Sequence, residues 1–191
     1  MKTKNNIVFL KGKKTNLRPV DESELALYVK WINDPEVRQF LKRNMPVTLI
    51  AEKKWYEKTL TDHDNLVLVI TTKSGKPIGV MGVHRINWID GTATTGAFIG
   101  EKTYWNKGYG TDAKMQVLNY CFNVLNLRKI CSQVYDFNKR SLAYSKHCGY
   151  KQEGLRKRHV FRNGEYHDLV ELAVFREDWQ PLWKKYLRGK I

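Results

Sequence analysis

Between Ala93 and Tyr135 the chain reads strand, glycine turn, helix, strand, and this order constrains the fold more than any other feature. A turn signal at Asp90-Gly91 precedes a strand from about Ala93 to Ile99. Gly96 and Gly100 are unusual there and mark a bulge, or a place where something approaches the backbone closely. After Gly108-Tyr109-Gly110-Thr111, the residues Val117, Leu118, Cys121, Val124 and Leu125 recur with helical spacing, and Asn126 helps to close that helix. Lys129 to Tyr135 is again a strand. Two strands joined through a helix form a parallel crossover within one sheet.

The flanks complete an α/β pattern. Acidic Asp21 to Glu24 open a first helix, with Leu25, Tyr28, Val29 and Ile32 on its apolar face, and Asn33-Asp34-Pro35 ends it. Glu36 to Leu41 forms a further short turn, and Thr48 caps a second helix through Trp55, Tyr56 and Leu60. Leu66–Thr71 and Ile78–Val83 pair as a hairpin around Ser74-Gly75-Lys76-Pro77. Lys139 to His147 is a short helix with Gly149 as its left-handed cap. His159–Arg162 and Asp168–Phe175 form a hairpin on Asn163-Gly164, and Trp179–Leu187 is an amphipathic tail helix. The sum is one domain around one mixed sheet.

The 34 basic and 19 acidic residues leave a formal charge of +15. Such an excess suits a polyanion or a strongly anionic small molecule, and it opposes the approach of a free polycation. No apolar run nears the roughly 20 residues of a membrane span, and the stretch Ile7–Leu10 after the basic start Met1–Asn6 is too short for a secretory signal. The expectation is a soluble, cytoplasmic protein. Cys121, Cys131 and Cys148 form no CxxC pair, and the five histidines show no ligand spacing, so no metal is expected.

The glycine turn carries the sharpest chemistry. Glycines let several N–H groups point into one concavity, and the helix entrance adds unpaired donors and partial positive charge. Lys107 adds a full charge. An anion site suited to a diphosphate results. The segment is neither a Walker loop nor a G-x-G-x-x-G fingerprint.

Several ordered blocks resemble the GCN5-related N-acetyltransferase (GNAT) superfamily. Asn106-Lys107-Gly108-Tyr109-Gly110, preceded by Trp105, is similar to its Q/R-x-x-G-x-G/A motif, with Asn106 or Lys107 near the usual Gln/Arg. Asn138, Ser141, Cys148-Gly149-Tyr150 and Glu153-Gly154 resemble a second block. Arg162 to Asp168 resembles the R-x-G-x-Y-x-D hairpin of the RimJ/RimL-like branch, and Leu17-Arg18-Pro19, Trp31 to Val37 and Trp55 fit the same branch. The resemblance covers nearly the whole chain. It implies a GNAT-like domain over residues 6–191, with a mostly antiparallel twisted sheet, a splayed parallel strand pair and helices on both faces.

The resemblance also implies a reaction: direct attack of an amine on the thioester of acetyl-CoA. The pantetheine arm would pair with the strand Ala93–Ile99, with Gly96 and Gly100 leaving room. The pyrophosphate would sit on the N–H groups of Lys107, Gly108, Tyr109, Gly110 and Thr111, beside Asn106. Asn138 would hydrogen-bond the co-substrate, and an N–H near Phe98 or Ile99 would hold the oxyanion. Ser141 is the preferred proton donor to the leaving thiolate, and it also lies against the co-substrate; Tyr144 is the second candidate. Ser145 stands where many relatives carry Tyr. No carboxylate occupies the usual base positions, in Ala93-Thr94-Thr95-Gly96 or at Val160. His84, Asp136, His159, Asp168 and ordered water remain as bases, and this favours an amine of lower pKa. Trp31, Trp55 and His84 are the acceptor-site candidates, with Tyr56 and Trp88 as further aromatics.

The acceptor itself is not legible. A ribosomal-protein N-terminus or other basic peptide, an amino sugar, a polyamine, an aminoglycoside and a free amino acid all stay open, as does a homodimer. Two other classes remain: a non-catalytic CoA-binding sensor and a basic RNA-binding module, although no nucleic-acid-binding signature appears.

Overall fold

The computed structural model describes residues 7–190, so the basic start Met1–Asn6 and Ile191 lie outside the described residues. Eight strands form one sheet: β1 (Leu10–Lys11), β2 (Thr15–Pro19), β3 (Leu66–Thr72), β4 (Pro77–Asn87), β5 (Thr92–Ile99), β6 (Lys129–Tyr135), β7 (Lys151–Arg162) and β8 (Glu165–Phe175). Their spatial order is β1-β2-β3-β4-β5-β6-β8-β7. Among the described residues only β5 and β6 run parallel. The connection between them contains α4 (Tyr109–Asn123), as the strand–helix–strand pattern requires.

Helices cover both faces. On one side α1 (Leu25–Asn33) and α3 (Leu49–Thr59) lie over Val69, with Leu25, Tyr28 and Trp31 buried. Between them Pro35 opens the one-turn α2 (Pro35–Arg38), which Asp34 caps by accepting from Glu36 N. On the other side α4, α5 (Lys139–His147) and α6 (Arg176–Leu187) enclose the larger core. Val117, Leu118 and Cys121 are wholly buried there, whereas Val124 lies at the helix end and is exposed.

Two strand readings fall short. The short β1–β2 pair goes unread, because two and five residues with a Pro at the end carry little pattern. β7 begins at Lys151, eight residues before the expected start, since Lys151–Arg158 has no apolar alternation to betray it. The tip behaves as expected: Asn163 (φ 50°) and Gly164 (φ 88°) both take positive φ, as a type I′ turn demands.

One carboxylate ties the sheet edge to the entrance of α4. Asp112 accepts from the backbone N–H of Lys13, Lys14 and Thr15, from Thr15 Oγ1 at 2.6 Å and from Tyr186 Oη at 2.5 Å. Gly12 makes this possible, because a Cβ there would stand 2.2 Å from Asp112 Oδ2. Burial raises the Asp112 pKa, but hydrogen bonds from Thr15 and Tyr186 outweigh it and hold the carboxyl below its ordinary value. A depressed carboxylate contributes stability above its unfolded pKa, near 3.9, and loses it as pH falls through the folded pKa. Asp112→Asn is therefore expected to cost about 2–3 kcal/mol at pH 7. Denaturant melts from pH 7 to pH 3 should also show a shallower loss of stability below roughly pH 4 in the variant.

Candidate functional site

The site begins where β5 and β6 part. Their parallel register covers Thr92↔Lys129, Ala93↔Ile130 and Thr94↔Cys131 and stops there. Side chains bridge the fork: Thr95 Oγ1 donates to Cys131 O and Ser132 Oγ to Thr95 O, each at 3.3 Å. Beyond it β5 remains paired to β4 as far as Ile99.

Alternate residues of a strand direct their N–H and C=O to the same neighbour. Thr95 O faces β6, so Ala97 and Ile99 face β6 too, and Ile99 O is taken by Trp105 Nε1 at 2.7 Å. The open edge therefore offers the Ala97 N–H and C=O and the Ile99 N–H. The expectation for Phe98 needs correction here: by the same alternation its N–H faces β4, while its ring packs edge-on to Trp31. Gly100 is also reassigned. A Cβ on it would stand 2.2 Å from the Trp31 ring, so it makes room for that indole and not for a ligand. Gly96 has open space beyond it.

At the end of β5 the chain turns into α4. Asn106 (φ 58°) and Gly108 (φ 80°) take left-handed conformations, and Gly108 caps the helix with no side-chain hydrogen bond. The first helical bond recorded across the entrance is Asp112 N to Gly108 O. The N–H groups of Tyr109, Gly110 and Thr111 thus lack intrahelical acceptors and face the cleft with a partial positive charge. Lys14 Nζ donates to Lys107 O at 3.0 Å, which adds a cation that sequence spacing does not reveal. The Lys107 side chain itself lines a smaller hollow of about 560 Å³ behind the loop, together with Lys14 and Lys73. Arg140 stacks on Trp105, 3.9 Å from its centroid, at the rim.

Fork and helix entrance open into one cleft of about 1190 Å³. One wall is α5. Asn138 caps it by accepting from Ser141 N at 3.1 Å, which occupies its carbonyl oxygen and leaves the amide nitrogen for other work. Ser141 and Tyr144 both line the cleft, whereas Ser145 is buried outside it. Tyr144 Oη is buried without a hydrogen-bond partner among the described residues, and burial raises its pKa well above 10. A position for Cβ on Gly110 lies 3.6 Å from the Tyr144 ring. Beneath the fork, Lys114 Nζ donates to Thr95 Oγ1 at 2.7 Å, and burial brings its pKa down to about 8.

The opposite wall holds Trp55 and His84. Trp31 is not there. It is 2% exposed, its Nε1 donates to Glu101 at 2.9 Å, and it belongs to the core under α1; an indole flanked by Tyr28 and Phe98 satisfies packing first. Tyr56 packs against the same core and Trp88 stands exposed on the β4–β5 turn. Among the base candidates, Asp168 accepts from Arg158 N at 2.7 Å in a bulge of β7, Asp136 accepts from Asp168 N, and His159 is exposed outside the cleft. Only His84 of that group lines it.

Sequence reading missed Glu52. It is 2% exposed, lines the cleft from α3, and lies 3.7 Å from Arg43. Its Oε2 has no hydrogen bond, and burial raises its pKa despite Arg43. Lys42, Arg43 and Arg85 line the same part of the cleft. Among the described residues no cluster of His, Cys, Asp or Glu suits a metal, and no helix is long and apolar enough to cross a membrane.

A forked strand pair above a glycine-turned helix entrance defines an N-acetyltransferase fold. Residues 14–151 match the family model described as an acetyltransferase (GNAT) domain, and the chain belongs to that family of acyl-CoA-dependent enzymes. It is 23% identical over 163 residues to the spermidine N(1)-acetyltransferase of Escherichia coli (strain K12), covering 85% of this chain and 87% of that one. It is 22% identical over 168 residues to the uncharacterized N-acetyltransferase p20 of Bacillus licheniformis, covering 85% and 93%. The fold of the Vibrio cholerae spermidine N-acetyltransferase, solved with CoA and spermine, superposes with a TM-score of 0.82 at 22% identity, covering 87% of this chain and 98% of that one.

The residues present suit acetyl-CoA: an open strand edge for an amide-bearing arm and uncapped N–H groups for a diphosphate. Gly110→Val should place two methyls over those N–H groups. Acetyl-CoA affinity measured by calorimetry is expected to fall at least tenfold, about 1.4 kcal/mol, with the thermal midpoint nearly unchanged.

Proposed function

We propose that the protein transfers the acetyl group of acetyl-CoA to a primary amine by direct attack in a ternary complex. One observation carries this reading: the open edge at Ala97 and the uncapped entrance at Gly108–Thr111 face the same cleft. The entrance N–H groups, with Lys14 nearby, hold the pyrophosphate. The Ala97 edge pairs with the pantetheine arm as an added strand would. The Ile99 or Ala97 N–H steadies the arm or the developing oxyanion.

The leaving thiolate needs a proton. Ser141 and Tyr144 sit three residues apart on one face of α5, both toward the cleft. The unpartnered Tyr144 hydroxyl favours Tyr144, since a buried donor with no acceptor is satisfied only when one arrives. Its raised pKa keeps it protonated throughout the neutral range.

The acceptor is an amine of low charge density, such as a peptide N-terminus of the kind the RimJ/RimL-like branch modifies, or a small amine. Lys42, Arg43 and Arg85 at the acceptor end repel a polycation. A second reading, a polyamine acceptor, is favoured by the spermidine-acetylating relatives and by Glu52, the buried acid in that region.

An acetyl-CoA assay that follows thiol release separates them, run against peptides with free N-termini, amino sugars, aminoglycosides and spermidine. Peptide turnover exceeding spermidine turnover supports the first reading, and the reverse order overturns it. Binding of acetyl-CoA with no turnover on any amine would identify a sensor. Salt-dependent RNA binding without CoA binding would identify a nucleic-acid module. Tyr144→Phe is expected to lower kcat about 10–100-fold with little change in acetyl-CoA affinity, and Ser141→Ala to lower it less.

A further inference from the structure

His84 sits at the root of the fork. Its register partner is Thr94, the last residue of β5 still paired in parallel with β6. Two residues along, Gly82 pairs with Gly96, so the sheet presents a floor without side chains beside the open edge. The His84 ring lies over that floor: a Cβ on Gly82 would stand 2.1 Å from its Nε2. One strand spacing, about 4.8 Å, separates this strand from β5 and its open edge. Immediately after His84 the β4–β5 register shifts and Arg85 takes φ 52°, a bulge that bends β4 at this point.

Hydrogen bonding fixes where the imidazole carries its proton. Asn65 Oδ1 accepts from Arg85 N at 3.2 Å, and Asn65 Nδ2 donates to Asp62 Oδ2 at 2.8 Å. Both bonds require the same amide orientation. The oxygen therefore faces His84 Nδ1 at 3.0 Å, and Nδ1 must be the donor. Nε2 then keeps its lone pair, and it makes no hydrogen bond within the described protein. Burial, followed by the charges of Arg85, Lys42 and Lys114, lowers the His84 pKa against the opposing pull of Asp62. Both effects favour the neutral ring.

Resting on the acetyltransferase reading above, we infer that His84 Nε2 is the general base for the acceptor amine and that Asn65 is its positioning residue. The bound ammonium gives one proton to Nε2, and the nitrogen lone pair attacks the thioester carbonyl carbon. The C–N bond forms as the carbonyl electrons move to oxygen. The adduct loses its second N–H proton to solvent, the C–S bond breaks, and the thiolate takes a proton from the α5 wall. That wall is reprotonated from the protons released, so amide, thiol and one net proton leave the site, the last from the imidazolium to solvent. Of His84, Asp136, His159 and Asp168 it uses the one that lines the cleft, and it explains why no carboxylate is needed on β5.

The test is the pH profile of kcat/KM with an amine the wild type accepts. With a base in place the profile is level between the His84 pKa and the amine pKa, and it falls below the former. His84→Gln is expected to lower kcat/KM 10²–10⁴-fold and to replace the level region by a tenfold rise per pH unit up to the amine pKa. Asn65→Asp, which puts a charge on Nδ1–H, should move the lower limb upward. A His84→Gln rate within threefold of wild type, with the level region kept, overturns the inference. Nitrogen-15 spectra of the unliganded wild type test the geometry separately, with Nδ1–H and titration below 6.5 expected. A proton on Nε2 at pH 7 overturns the inference even if turnover is high. A wild type that binds acetyl-CoA but acetylates nothing sinks the enzyme reading, while the spectra still decide the tautomer.

Discussion

The structure depends on a backbone that is paired on one side only. Between Gly96 and Ile99, β5 is held by β4 and released by β6. Main-chain N–H and C=O groups require partners, so a strand edge exposed inside a cleft is held ready for a chain that brings its own amides. Each such bond adds only about 0.5–1.5 kcal/mol net, yet together they set the register of an incoming arm. The uncapped entrance of α4 follows directly on that strand. Edge and entrance therefore open on one cleft.

Keeping the fork open takes structure beneath it. Thr95 is the hub: its hydroxyl meets Tyr150 Oη at 2.7 Å, receives Lys114 Nζ and reaches toward Cys131 O. A buried ammonium is costly unless it is hydrogen-bonded. Lys114 finds one hydroxyl and the faces of Tyr144 and Tyr150, and its pKa still falls to about 8. On the outer side, Asp112 fastens the first turn of α4 to the segment before β2 and to α6. The helix whose entrance N–H groups face the cleft is thereby anchored at the same turn. Loosening that anchor would blur the donors' aim as well as lower stability.

Much of this was legible from the residues. The glycine turn, the helix after it and the strand Lys129–Tyr135 came from period and punctuation, and the parallel pair follows from connectivity alone. What escaped is what depends on parity or on distant loops. Alternation along β5 decides that Ala97 and not Phe98 faces the open edge, and one-residue precision exceeds what a strand pattern supplies. Gly100 read as room for a ligand because its neighbour Trp31 is 69 residues away in sequence. Glu52 sits in a helix of mixed polarity, where nothing separates a buried acid from its exposed neighbours. The Asn65–His84 bond joins a loop to a bulge 19 residues on, and no local motif marks either partner.

The charge of the cleft bears on the proposed acceptor. At 22–23% identity the fold is shared, while the side chains that line an acceptor pocket are free to differ. In this chain Lys42, Arg43 and Arg85 line the cleft together with the buried Glu52. Burial first, and then the charges of Arg85 and Arg156, lower the pKa of Lys42. A trivalent amine entering it meets repulsion in a partly desolvated space, where screening is weak. On the proposed reading an α-amine brings one charge, gives it up to the base, and leaves the remaining cations free to hold whatever anionic group the acceptor carries. Basic cleft, imidazole base and absent β5 carboxylate therefore agree with the proposed substrate, an amine that arrives with little charge and gives it up on binding.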